Sequence, residues 1–247
     1  MKTQGNTILV TGGGSGIGRA LAQRWHDLGN KVIVAGRRQE ALDETIAGRE
    51  SMFGYTLDID DPWAIEEFAS EIIARHPDLN VLVNNAGVMR YEDVTARRDL
   101  KDAEETVTTN LLGPIRLTNA LIDHLTAQPD AALINLTSGL AFVPFPKAPT
   151  YSATKAAMHS YTQALRQNLK GKVEVIELAP PAVQTDLTPG QATRDGYMPL
   201  GDFADEAMRI WQQQPTPTEI NVERVRFLRF AERNSQVDEA LEMLGAL

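Results

Sequence analysis

The sequence predicts an α/β fold of one domain, a parallel sheet wound on both faces by helices. Three observations carry this. Short β-branched runs alternate with longer segments of helical periodicity, the alternation persists over the first three-quarters of the chain, and a glycine-rich turn at 11–18 joins the first strand to the first helix. With 247 residues, 43% of them hydrophobic, the chain can bury a full core.

Strands are expected over 7–11, 31–35, 51–57, 81–83, 131–136 and 173–178, with helices between them. Breaks at Gly29-Asn30, Asp61-Pro62 and Gly113-Pro114 read as element ends, because no repeat, low-complexity tract or long linker interrupts the pattern. Residues 180–201 are rich in proline and glycine, and 202–214 has the spacing of an amphipathic helix. A substrate flap over about 188–214 is expected from them, since long irregular loops in compact domains usually serve function. Residues 218–247 read as mainly helical, with Val222, Val225, Phe227, Leu228, Leu241 and Leu244 apolar. The expected sheet therefore has six to seven strands and a helical C-terminal tail.

Composition narrows the function. A formal charge of −9 offers no basic footprint for nucleic acid, and the arginines at 97–98 and 224–233 are interleaved with acids as on charged helix faces. Without cysteine there is no disulfide framework, thiolate nucleophile or cysteine-bound zinc, which fits a cytoplasmic protein. The polar start and the short apolar run at 7–10 predict no signal core or membrane span. His26, His76, His124 and His159 lack ligand spacing, so no catalytic metal is expected, and Trp25 and Trp211 read as packing residues.

The turn Gly12-Gly13-Gly14-Ser15-Gly16-Ile17-Gly18 lies between a strand and a helix. Glycines there let the backbone approach a pyrophosphate, and the amides and dipole at the helix N-terminus stabilise its charge. Alone, such a cluster is equally a tight turn. Its place in the first βαβ unit favours a dinucleotide site, as in a Rossmann-like fold. Where an NAD-binding unit usually carries an acid for the ribose 2′-hydroxyl, the second strand ends Gly36-Arg37-Arg38. Room at Gly36 and positive charge suit a 2′-phosphate, so NADP(H) is expected over NAD(H); one arginine, Arg38 more than Arg37, is alternatively a solvated first-turn residue. Asp58 is placed to accept the adenine amino group, or to serve in a helix-capping cluster at 58–62.

Ser138, Tyr151 and Lys155 stand in the pattern Ser-x12-Tyr-x3-Lys. Residues four apart share a helix face, so the Lys155 ammonium can lie beside Tyr151 and lower a phenol pKa normally about 10. Ser138 can then hold a substrate oxygen while Tyr151 gives or takes its proton.

At this point the chain resembles the short-chain dehydrogenase/reductase family, over residues 7–187. The family's Thr-Gly-x3-Gly-x-Gly stands at Thr11, Gly12, Gly16 and Gly18, and its Asn-Asn-Ala-Gly at Asn84-Asn85-Ala86-Gly87. The resemblance implies that Asn110 completes a catalytic tetrad with Ser138, Tyr151 and Lys155. It implies further that Asn110 holds a proton-relaying water, that Lys155 also binds the nicotinamide ribose, and that Asn84, Ala86 and Gly87 line the adenine-ribose side of the cleft. On its own, Asn110 at the helix break in 108–114 is equally a polar cap.

After the sixth strand the family's Asn-Pro-Gly is replaced by Ala179-Pro180-Pro181, followed by Ala182, Val183, Gln184 and Thr185. Pro181 fixes φ and removes an amide donor, so backbone contacts to the nicotinamide differ there. By the resemblance, Thr185 still contacts the carboxamide, with Pro181 and Val183 beside it. The usual final strand with Asp-Gly-Gly is missing, which favours a homodimer through helices around 111–125 and 151–169 over a tetramer. This ending and the double proline are similar to the branch that contains the DltE oxidoreductases.

The apolar loop 139–146, with Leu187 and Met198, faces an apolar substrate portion or else packs in the core or a dimer contact. Three activities fit: a reductase or dehydrogenase acting on a small carbonyl or alcohol, a nucleotide-sensing regulator, and a lyase or epimerase. The regulator has no need of the four polar residues together, and little chain beyond Leu187 remains for the larger substrate domain usual in the third class.

Overall fold

The computed structural model describes residues 1–246, so Leu247, the last residue of the expected helical tail, lies outside the described residues. Seven strands form one sheet: β1 (Thr7–Thr11), β2 (Lys31–Gly36), β3 (Met52–Thr56), β4 (Val81–Asn84), β5 (Ala132–Leu136), β6 (Glu174–Leu178) and β7 (Glu219–Ile220). All neighbours pair in parallel, in the order β3-β2-β1-β4-β5-β6-β7. The helices are α1 (Gly16–Asp27), α2 (Gln39–Ile46), α3 (Pro62–Arg75), α4 (Lys101–Val107), α5 (Gly113–Ala127), α6 (Pro149–Asn168), α7 (Leu200–Trp211), α8 (Arg226–Arg229) and α9 (Val237–Gly245).

Because strand side chains alternate, each central strand feeds two cores. Ile8 and Val10 of β1 pack with Leu21 and Trp25 of α1 and Phe203 and Trp211 of α7 on one face. Leu9 packs on the other face with Ile65 and Phe68 of α3 and Leu117 and Leu121 of α5. Trp25 and Trp211 are both 1% exposed and meet edge to face at 6.0 Å, as their reading as packing residues requires.

Three departures from expectation have local causes. The third strand starts at Met52 because Ser51 turns through the left-handed region at φ 66°. A seventh strand does exist. It is two residues long and pairs with Glu177 and Leu178 before the chain enters the turn Glu223–Val225. The expected flap over 188–214 is corrected at its C-terminal end: α7 buries Phe203, Ala207 and Trp211 in the main core and belongs to the helical layer. The segment before it is tied to itself. Met198 bonds Ala182, Gln184 bonds Met198, and the buried Gln191 amide donates to the Val183 carbonyl at 2.7 Å and to Thr185 Oγ1 at 3.2 Å.

Candidate active site

The strand order reverses direction between β1 and β4, and at such a switch point a crevice opens beyond the carboxyl ends of the strands. Two continuous cavities occupy it. The first, about 420 Å³, is walled by the glycine turn, Gly36, Arg37, Arg38, Asp58, Ala86 and Gly87. The second, about 330 Å³, runs from Gly12 to Gly18 past Ala86 and Gly87 to Ser138, Tyr151, Lys155, Pro181, Val183 and Thr185. Arg37 borders both.

The glycine turn has this shape for steric reasons. A Cβ on Gly18 would meet Asn85 Nδ2 and the Gly12 carbonyl at 2.4 Å, while Gly12 itself sits at φ 65°. The first turn of α1 carries no acidic side chain, so its amide ends keep their positive potential toward the crevice. Thr11 Oγ1 accepts from the amides of Asn85 and Ala86 at 3.0 and 3.1 Å, and Asn85 Nδ2 donates to the Thr11 carbonyl at 2.8 Å. Asn85 thus locks the segment after β4 to the turn after β1, a role that only the motif around it signalled. Asp61 caps α3, accepting from Trp63 and Ala64, and Asp58 both accepts the Asp60 amide at 3.1 Å and faces the first cavity, so its two roles are compatible.

At the far end Ser138 follows β5, its Oγ accepts from the Leu140 amide at 3.1 Å, and it borders the same cavity as the Tyr151 phenol, whose pKa it lowers. Lys155, one turn beyond Tyr151 on α6, lies 5.7 Å from that ring and donates to the Leu136 carbonyl at 3.0 Å. The electrostatics correct the expectation that lysine lowers the phenol pKa. Burial dominates, pushing Tyr151 up to about 12 against the opposing influence of Ser138, and pulling Lys155 down to about 8.

Asn110 and Asn84 are not on the cavity walls. Asn110 sits on the π-helical turn Thr108–Leu112, the break expected at 108–114, and its amide clamps Val88 by two bonds of 2.8 Å. Its Oδ1 would be 3.2 Å, and Lys155 Nζ 3.7 Å, from a Cβ on Gly87, so glycine is what lets these groups converge. Asn84 is buried behind the wall, donating to Thr118 at 3.1 Å and Asn135 at 2.9 Å. Its expected place at the ribose is therefore corrected: it braces β4 against α5 and β5.

Of the apolar candidates, Leu140, Phe145 and Leu187 border a third cavity beside Tyr151. Met198 does not; it pairs with Val183 and packs in the core. Two contributors were missed by sequence reasoning. Gln191 carried no pattern at all. Glu92 accepts from the Thr150 amide and hydroxyl at 2.9 and 2.8 Å and so caps α6, whose own preceding residue, Ala148, provides no side-chain cap.

Comparison with known proteins gives the family and the fold. A family model described as short chain dehydrogenase matches residues 6–195. An uncharacterized oxidoreductase DltE of Bacillus subtilis (strain 168) is 38% identical over 250 residues, covering 99% of this chain and 98% of that protein. Among solved structures, a short chain dehydrogenase of Burkholderia cenocepacia J2315 in complex with NADP superposes with a TM-score of 0.82 at 24% identity, covering 97% and 98% of the two chains. One from Burkholderia phymatum in complex with NAD superposes with a TM-score of 0.82 at 21% identity, covering 96% of each.

Proposed function

Because the chain belongs to the short-chain dehydrogenase/reductase family of oxidoreductases, we propose that it is an NADP(H)-dependent enzyme interconverting a ketone or aldehyde with its alcohol. The observation that carries this reading is the convergence of Ser138, Tyr151 and Lys155 at one end of a glycine-lined crevice whose other end holds Arg37 and Arg38.

The residues present fit a dinucleotide phosphate. Gly12 to Gly18 offer backbone amides to a pyrophosphate, and no side chain would crowd the entrance at Gly36, where a Cβ would meet nothing nearer than 3.7 Å. Arg37 and Arg38 are exposed at the first cavity, with no carboxylate at the end of β2 to accept from a ribose 2′-hydroxyl. Asp58 offers an acceptor to adenine, Lys155 a donor to the second ribose, and Thr185 a hydroxyl to the carboxamide. When bound, the cofactor supplies or removes hydride at the carbonyl carbon.

Ser138 holds the substrate oxygen, and Tyr151 passes the proton. Burial keeps that proton on the phenol at neutral pH, which is the form that protonates a carbonyl oxygen during reduction. Asn110 acts through Gly87 and Val88, fixing the wall against which Lys155 is placed and holding the relay toward it. We place the enzyme in the cytoplasm as a homodimer joined through 111–125 and 151–169, with a substrate flap confined to 188–199. Among the described residues no helix is long and apolar enough to cross a membrane.

Calorimetric titration with NADPH and NADH, followed by assay against carbonyl compounds, tests the reading. Tight NADPH binding, weak NADH binding and carbonyl-dependent NADPH oxidation are expected. Preference for NADH would remove the 2′-phosphate argument, and binding of neither would remove the enzyme reading altogether.

A further inference from the structure

The apolar residues of the C-terminal tail find their use beside Tyr151. They form a third hydrophobic cluster, separate from the two sheet cores, in which Ala231, Ala240 and Leu244 of the tail pack with Val143, Phe145 and Tyr151. The tail presses closely on the segment after Ser138: a Cβ on Gly139 would stand 2.9 Å from Leu228 Cδ1 and 3.0 Å from Val225 Cγ2. Arg229 fixes it from outside, bonding Glu219 at 2.8 and 2.9 Å and stacking over Phe142 at 4.5 Å. The cavity of about 100 Å³ left between Tyr151 and the tail has Leu228 and Leu244 as its far wall. Tyr91, edge to face with Phe145 at 6.3 Å, borders it on another side and reaches Thr188 of the flap at 3.4 Å.

None of the residues bordering this cavity is aspartate, glutamate, lysine, arginine or histidine. A carboxylate, sulfonate or ammonium group placed there would lose hydration and meet only neutral hydroxyl and amide groups, such as those of Tyr91, Gln191 and Tyr197, with no opposite charge to offset the cost. An apolar cavity of about 150 Å³ takes up benzene, so this smaller one sets a phenyl ring as its upper bound. It opens toward the second cavity through shared walls at Ser138, Tyr151, Pro181 and Leu187.

Resting on the reading of the chain as a carbonyl reductase, we propose that its substrates are neutral ketones or aldehydes whose larger substituent is an uncharged alkyl or aryl group of up to about six carbons, and that Leu228 and Leu244 of the C-terminal tail set this limit. In the reduction, hydride from NADPH joins the carbonyl carbon and the Tyr151 proton joins the oxygen, giving NADP⁺ and the secondary or primary alcohol. Tyr151 is then reprotonated from solvent.

The test compares NADPH oxidation with acetophenone and 2-hexanone, with the bulkier benzophenone, and with anionic 2- and 3-oxo acids, in the wild type and in Leu244→Ala and Leu228→Ala. Calorimetric NADPH binding reports that each variant is folded; the two leucines are separate routes to the same wall, so one folded variant suffices. The wild type is expected to favour the first two ketones over benzophenone and the oxo acids by at least about ten-fold in kcat/KM. Either shortened leucine should raise benzophenone turnover by about ten-fold or more and lower that of acetophenone. Preference for oxo acids, or a size limit unmoved in a folded variant, overturns the inference while leaving the reductase reading intact. Oxidation of NADPH with none of these compounds overturns both.

Discussion

The two ends of the crevice are built by different means. The end beneath β1, β2 and β4 is made of backbone: a glycine turn, an unneutralised helix N-terminus, and the Asn85 lock between two loops. The end beneath β5 and β6 is made of side chains that meet from distant parts of the chain, with Tyr151 in one cluster with Phe145 and Leu244. Backbone geometry imposes a local residue pattern, because few residues tolerate Gly12's positive φ or the 2.4 Å approach at Gly18. Packing imposes only apolarity and volume, which many residues satisfy.

Four substitutions probe this difference, and the largest effect is expected at Tyr151. Tyr151→Phe keeps the ring in its cluster and removes only the hydroxyl, so kcat should fall by about three orders of magnitude with NADPH affinity unchanged. A loss below ten-fold would move the proton transfer to another group.

Lys155 comes next. In the folded chain burial lowers its pKa to about 8 from 10.5, so between those values the unfolded chain binds more protons and stability rises with pH; below about 8 the full cost of burying the charge is present. Lys155→Met should therefore inactivate the enzyme yet stabilise it at pH 7, on the order of 3 kcal/mol. Thermal melts from pH 7 to 10 should lose the rise that the wild type shows. A variant that melts lower with an unchanged slope would mean that the bond to Leu136, not the charge, governs this site.

Smaller again, Arg37→Ala should weaken NADPH by about ten- to hundred-fold and leave NADH nearly unaffected, as expected for a charge-assisted bond to one phosphate. Equal losses would break the distinction between the two cofactors. The smallest effect belongs to Glu92→Gln, which weakens the cap of α6 and should cost about 1–2 kcal/mol in denaturant unfolding. No loss of stability would show that α6 is held by its packing alone.

The same contrast explains how much was legible in the sequence. The six longer strands and the glycine turn followed from periodicity and spacing, since each is specified by neighbours within a turn or a strand, whereas the Ser138, Tyr151 and Lys155 cluster became legible through the family resemblance, because Ser138 and Tyr151 stand on different elements. Asn84 was misplaced because motif membership does not say which way a side chain points, and alternation turns it away from the cavity toward Asn135. The phenol pKa was misjudged because a lysine four residues away is visible in a sequence and burial is not. Gln191 and Glu92 act across long separations, through Val183 and Thr150, and nothing local marks either. The two-residue β7 is too short to leave a pattern, yet it ends the sheet beside Glu177 and Leu178.

The most direct test of the account is to follow deuterium from NADPH labelled at C4 of the nicotinamide, in both stereochemical forms, into products from a panel of neutral and charged carbonyl compounds. The account predicts that one form delivers its deuterium to the carbinol carbon of a neutral product, and that Tyr151→Phe, with the cofactor still bound, delivers almost none. Cofactor bound tightly by the wild type with no label reaching any carbinol carbon would contradict it.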